Sequence, residues 1–172
     1  MGVKMAKKVN AIPEGYHSIT PNLVIRGAAE AIEYYKKAFG AELTFRMDTP
    51  DGKVMHATIR IGDSILMLAD ECAPHEKHKE ECVRSPADLK GTTTNLFLYV
   101  KDVDGVFDRA IKAGGKAAMA VEDMFWGDRV GMLSDPFGHF WTVATHVQDV
   151  GGVELEKRTK EFLNRQNQQV AR

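Results

Sequence analysis

NLVIRGAAEAIEYYKKAFG at residues 22–40 and NLFLYVKDVDGVFDRAIKAGG at residues 95–115 are two versions of one pattern. Each is an extended apolar run followed by an amphipathic helix that ends at glycine. In the first, Ile32, Tyr35 and Phe39 recur at spacings of three and four from Ala28 to Phe39, and Gly40 stands where a helix terminus favours a left-handed residue. In the second, Asp102 is placed to cap a helix whose inner face carries Val103, Val106, Phe107, Ala110 and Ile111, closed by Gly114-Gly115.

Working outward, three short strands follow each helix. The first set reads as Glu42 to Met47, Val54 to Ile61 and Ile65 to Ala69, separated by the turn pairs Asp51-Gly52 and Gly62-Asp63. The second reads as Lys116 to Val121, Arg129 to Ser134 and Phe140 to Thr145, with Asp135-Pro136-Phe137-Gly138 as the last turn. Asn22 matches Asn95, Lys37-Ala38-Phe39-Gly40 matches Lys112-Ala113-Gly114-Gly115, and Gly52-Lys53-Val54 matches Asp128-Arg129-Val130, so the offset creeps from 73 to 75 to 76. That drift requires only small loop indels. The chain is therefore an internal duplication of a βαβββ unit, of α+β class, and two such units should pair around a shared cleft.

The predicted boundaries are a leader over 1–15, a first module over 16–70, a linker over 71–93, a second module over 94–148 and a helical tail over 149–172, one structural domain overall. Tyr16 to Ile25 reads as extended. In the tail, Val153, Leu155, Phe162 and Leu163 are spaced for one side of a helix.

Composition excludes several classes of function. Across 172 residues, 23 Lys plus Arg balance 24 Asp plus Glu for a net charge of -1, which gives no field to attract nucleic acid or an anionic membrane. The longest clearly apolar stretch, Leu96 to Val100, falls far short of the roughly 20 residues of a membrane span. The basic start has no apolar segment behind it, and two cysteines do not build a disulfide framework. Both point to the cytoplasm. No glycine-rich nucleotide loop occurs.

The chain resembles the vicinal oxygen chelate superfamily of glyoxalase I, bleomycin-resistance proteins and extradiol dioxygenases, and within it the PhnB-like branch. The resemblance is carried by Ala31 to Ala41, His56 to Leu68, Val100 to Asp104, Gly127-Asp128-Arg129 and Asp135 to His139, within residues 18 to 148. It implies paired βαβββ modules forming a cupped mixed sheet, a homodimer, and, in metal-dependent members, His and Glu ligands on the first and last strands of each module. Here those positions fall on Asn22 (or Thr20), Leu66 or Met67, Asn95 and Thr142. None is a His or carboxylate, so the expectation is no cofactor and no superfamily metal, with a ligand held by hydrogen bonds.

The candidate ligand-binding residues are Asn22, His56, Asn95, Trp126 and Thr142, with His56 also the candidate general base. Trp126 precedes Gly127 in a loop that could fold over the site, whereas Trp141 reads as core and His139 as part of its turn. Arg129 suits either a carboxylate clamp or a solvated strand edge. Cys72, His75, His78 and Cys82 form a Cys-x2-His-x2-His-x3-Cys array, a candidate zinc site set against a charged surface linker. The expected function is binding of a small organic molecule in a cleft between the modules, without the usual superfamily metal, with a metal-dependent lyase or isomerase of glyoxalase type as the rival.

Overall fold

The computed structural model describes residues 9–71 and 83–170. Cys72, His75, His78 and Cys82 lie outside the described residues. The first module comprises β1 (Asn22–Ile25), α1 (Ala28–Phe39), β2 (Glu42–Asp48), β3 (Val54–Ile61) and β4 (Ser64–Asp70). A short α2 (Pro86–Leu89) precedes the second module, which contains β5 (Asn95–Tyr99), α3 (Val103–Lys112), β6 (Lys116–Asp123), β7 (Asp128–Ser134) and β8 (Phe140–His146). The tail is α4 (Gly152–Val170). The two sheets run in the orders β1-β4-β3-β2 and β5-β8-β7-β6. In each, the first and last strands pair parallel and the remaining pairs are antiparallel.

The helices start for different reasons. Asp102 caps α3 locally, its carboxylate accepting from the Gly105 N–H at 3.0 Å. The cap of α1 comes instead from β4: Asp70 Oδ1 accepts from the Gly27 and Ala28 N–H groups at 3.0 and 2.9 Å, and its Oδ2 takes the Val54 N–H at 2.8 Å. One carboxylate thus ties helix, strand and hairpin together.

Strand alternation sends one face of each sheet to its helix, and these faces fuse into one core. Ile25, Ile59 and Leu68 of the first sheet and Leu133, Trp141 and Val143 of the second are buried with Tyr35, Ala38 and Phe107 of the helices. Burying each such aliphatic or aromatic side chain contributes roughly 1.5–3 kcal/mol. The modules are stitched by hydrogen bonds as well as packing. Tyr34 Oη donates to the Ala110 carbonyl at 3.2 Å, and Tyr35 Oη donates to Asp135 Oδ2 at 2.8 Å. Asp135 also accepts from Trp141 Nε1 at 3.0 Å and from the Phe137 and His139 N–H groups, both at 2.9 Å, so its turn is locked to α1.

The extended reading of Tyr16 to Ile25 shortens to Asn22–Ile25: Pro21 directly precedes the strand, and Tyr16 is held in a turn by the Pro13 carbonyl. In the linker, Ser85 accepts from the Asp88 N–H and Pro86 stands at the first helical position of α2, a start signal present in the sequence. The tail helix touches the second module through Phe162 on Phe125, ring centroids 4.9 Å apart, and leaves Val153 and Leu163 exposed.

Candidate functional site

The face of each sheet turned away from its helix is open. In the first sheet the register aligns Asn22, Met67, Thr58 and Phe45 across the strands, with His56 and Met47 in the next row. In the second it aligns Asn95, Phe140 and Ser134, then Phe97, Thr142, Met132 and Met119. Because Asn22 lies opposite Met67 while Asn95 lies opposite Phe140, the duplicate of Met67 is Phe140, and Thr142 answers to Ala69. This revises the last-strand alignment read from sequence.

The second open face carries the densest polar construction. Asp128, only 4% exposed, sits at the start of β7 and collects three side-chain donors. Tyr99 Oη and Trp126 Nε1 both donate to its Oδ2, at 2.9 and 3.0 Å, and His146 Nδ1 lies 2.7 Å from Oδ1. His146 Nε2 in turn meets Asp149 Oδ1 at 3.0 Å. Burial pushes the Asp128 carboxyl up, but the bonds from His146, Tyr99 and Trp126 outweigh it and hold the group below the usual carboxylate range. Its bond to Asp128 raises His146, with Asp149 adding to it, and the separate bond from Tyr99 to Asp128 raises the phenol. Around this anchor stand the exposed rings of Phe97, Tyr99 and Trp126, with Phe97 and Tyr99 centroids 5.0 Å apart.

Gly127 allows this corner to close. Its φ is +102°, and a Cβ there would lie 2.0 Å from the Gln148 carbonyl oxygen. The Gly127 carbonyl accepts from the Val147 and Gln148 N–H groups, drawing the segment after β8 against the turn that carries Trp126.

The sequence-derived candidates divide between the two faces. Asn95 and Thr142 are brought together, Asn95 Nδ2 donating to the buried Thr142 Oγ1 at 2.7 Å, and Trp126 lies on the same sheet. Asn22 and His56 belong to the other sheet. His56 Nε2 lies 3.3 Å from Thr58 Oγ1, which Tyr16 Oη approaches at 3.5 Å, and among the described residues no carboxylate bonds to it. The histidine backed by a carboxylate is His146. Reasoning from sequence missed the Asp128 cluster because its members, at 99, 126, 128 and 146, are gathered by strand register and not by a motif. Arg129 forms a bidentate pair with Asp104 at 2.8 Å and also meets Asp123, bracing α3 against β7. Trp141 is in the core.

Amide, thioether, aromatic and hydroxyl groups at Asn22, Met67, Asn95, Phe140 and Thr142 are a poor donor set for zinc, nickel or iron. Among the described residues, no three His, Cys, Asp or Glu side chains converge as a metal-binding group. The superfamily's metal does not fit these positions.

Residues 16–143 match the family model described as the Glyoxalase/Bleomycin resistance protein/Dioxygenase superfamily. The chain belongs to this superfamily. An uncharacterized protein of Mycobacterium bovis is 40% identical over 139 residues, 81% of this chain and 90% of that protein. Protein YjdN of Escherichia coli is 29% identical over 147 residues, covering 73% of this chain and 92% of its own. Among solved structures, TioX from Micromonospora sp. ML1 superposes with a TM-score of 0.59 at 25% identity, covering 75% of this chain and 98% of TioX. A PhnB protein from Bacillus cereus, described as a putative 3-demethylubiquinone-9 3-methyltransferase, has a TM-score of 0.57 at 21% identity, covers 75% and 99%, and supports the fold alone. The expected PhnB-like superfamily fold is thereby established. No helix among the described residues is long and apolar enough to cross a membrane.

Proposed function

We propose that this superfamily member binds a small organic molecule on its open sheet faces without a metal ion, as a cytoplasmic homodimer in which a second copy covers those faces. The proposal includes neither nucleic-acid nor membrane partners. The observation that carries it is the group of exposed rings, with Tyr99 and Trp126 fixed by the buried Asp128 and Phe97 packed against Tyr99. Exposed aromatic area held rigid by hydrogen bonds suits recognition of an apolar or planar ligand, because little side-chain freedom is lost on binding. Asn95 and Thr142 add polar groups on the same face, and Asn22 and His56 do so on the other. Phe45 and Met47, about half exposed on β2, are apolar surface that a second chain would cover.

Thermal-shift measurements across a metabolite panel test the reading. At least one compound should raise the melting temperature, and Tyr99→Ala and Trp126→Ala should abolish that rise, because only a ligand of the folded state stabilises it. Sedimentation should give a dimer mass. A monomer with no stabilising compound would overturn the proposal.

The rival, a metal-dependent lyase or isomerase with unusual ligands, draws its support from the Asp128–His146 pair, a carboxylate-oriented imidazole suited to proton transfer. Elemental analysis separates the two. One equivalent of zinc, nickel or iron, retained after substitution of Cys72 and Cys82, would favour the lyase.

A further inference from the structure

A recess of about 670 Å³ lies at the free edge of β1, away from the Asp128 cluster. Its walls are mostly apolar, from Leu23 and Val24 of β1, Pro86 and Leu89 of α2, and Leu96 of β5, while Asn22, Arg84 and the threonines at 92–94 stand on its polar side and His139 forms part of the lining. We propose that this recess is a second small-molecule site, taking a compact apolar body that carries one hydroxyl or N–H donor, with the donor directed at His139 Nε2.

His139 is 7% exposed, and its backbone is fixed on both sides: its N–H donates to Asp135 Oδ1 and its carbonyl accepts from the Asp135 N–H, both at 2.9 Å. The ring has a hydrogen bond with the Val24 backbone, whereas Nε2 is buried with no hydrogen-bond partner among the described residues. Burial pushes the imidazole pKa down, against the opposing pull of the Asp135 carboxylate, so the ring is held neutral. A neutral imidazole whose proton is engaged by a carbonyl presents its other nitrogen as a lone-pair acceptor. A buried acceptor left unpaired is costly, so the site lacks a donor. A neutral hydroxyl or N–H group on an apolar body satisfies both the acceptor and the apolar part of the walls.

Pro86 covers this turn closely, its Cβ 3.0 Å from where a Cβ on Gly138 would stand. A ligand reaches Nε2 by easing that cover. α2 has only four residues and is tied to the first sheet by side-chain bonds, Ser85 to Glu71 and Arg26 to Asp88, so the cover eases by loosening these without breaking a strand pair.

Phenol and toluene, alike in body and different in the donor, are the probes. The full chain with nitrogen-labelled histidine is titrated with each and the His139 Nε2 resonance followed by NMR. Phenol should move it saturably and toluene should leave it in place, with phenol binding about tenfold tighter, the worth of one hydrogen bond. His139→Phe should reduce phenol to the toluene affinity. Leu89→Trp, which fills the recess from an exposed position and leaves the core intact, should abolish binding of both. The proposal is overturned if phenol leaves the resonance unmoved or if Leu89→Trp binds phenol normally. It is equally overturned if Nε2 is already hydrogen-bonded before any probe is added, which would mean that buried water supplies the donor.

Discussion

The two modules share strand order, parallel and antiparallel pairing and helix placement, yet their open faces differ chemically. In the first, the row formed by Val24, His56 and Met47 offers one imidazole, bonded among the described residues to a threonine. The same row of the second holds Phe97, Met132 and Thr142, and the strand end beyond it holds the Asp128 cluster. On the helix-facing side the modules converge instead, and Asp135 of the second is bonded to Tyr35 of the first. Duplication kept the packing frame, where a substitution disturbs neighbours on every side, and let the open faces diverge, where it disturbs few.

Five substitutions probe that contrast. Asp135→Ala should have the largest effect, about 3–5 kcal/mol by denaturant unfolding, because it leaves buried Tyr35 and Trp141 donors unpaired and frees the β7–β8 turn from α1 of the first module. Separate transitions for the two halves would show that the core is less shared than its packing indicates.

Asp128→Asn should cost about 2 kcal/mol and lower the His146 pKa measured by NMR. The sign follows from linkage. His146 is raised in the fold, so its contribution is complete below about pH 6.5 and fades as pH rises through the raised value. Asp128 is lowered, so its contribution is present above about pH 3.9 and is lost as pH falls through the depressed value. An unchanged His146 titration in the variant would break the cluster apart.

Gly131→Ala should cost about 1–3 kcal/mol, since a Cβ there would lie 2.7 Å from the Phe107 ring. The duplicate position, Met55, is half exposed, and Met55→Ala should stay within about 0.5 kcal/mol. Equal losses at the two positions would show that helix packing is as tight in one module as in the other. Thr58→Val on the first open face should also cost little, about 1 kcal/mol or less, because the hydroxyl's contacts with Tyr16 and His56 are long.

The frame was readable because its signals are local. Ala28–Phe39, Val103–Lys112 and Val54–Ile61 begin and end where periodicity, capping and turn residues place them. What escaped is non-local. The cap on Gly27 and Ala28 comes from Asp70, more than forty residues away, and the Asp128 cluster joins residue 99 to residue 146. Strand register decides such meetings, and a one-residue slip would send every side chain to the opposite face. That is also why spacing alone matches Thr142 to Leu66 or Met67, whereas strand pairing makes Phe140 the duplicate of Met67.

The contrasting surroundings of the two tryptophans make the protein its own optical instrument. Trp141 is enclosed beside Tyr35 and Phe39, whereas Trp126 looks outward from the Asp128 corner. Their emission should separate into a blue component that follows melting of the interior and a red one that follows occupancy of the outer surface. Both events become readable in one unlabelled sample.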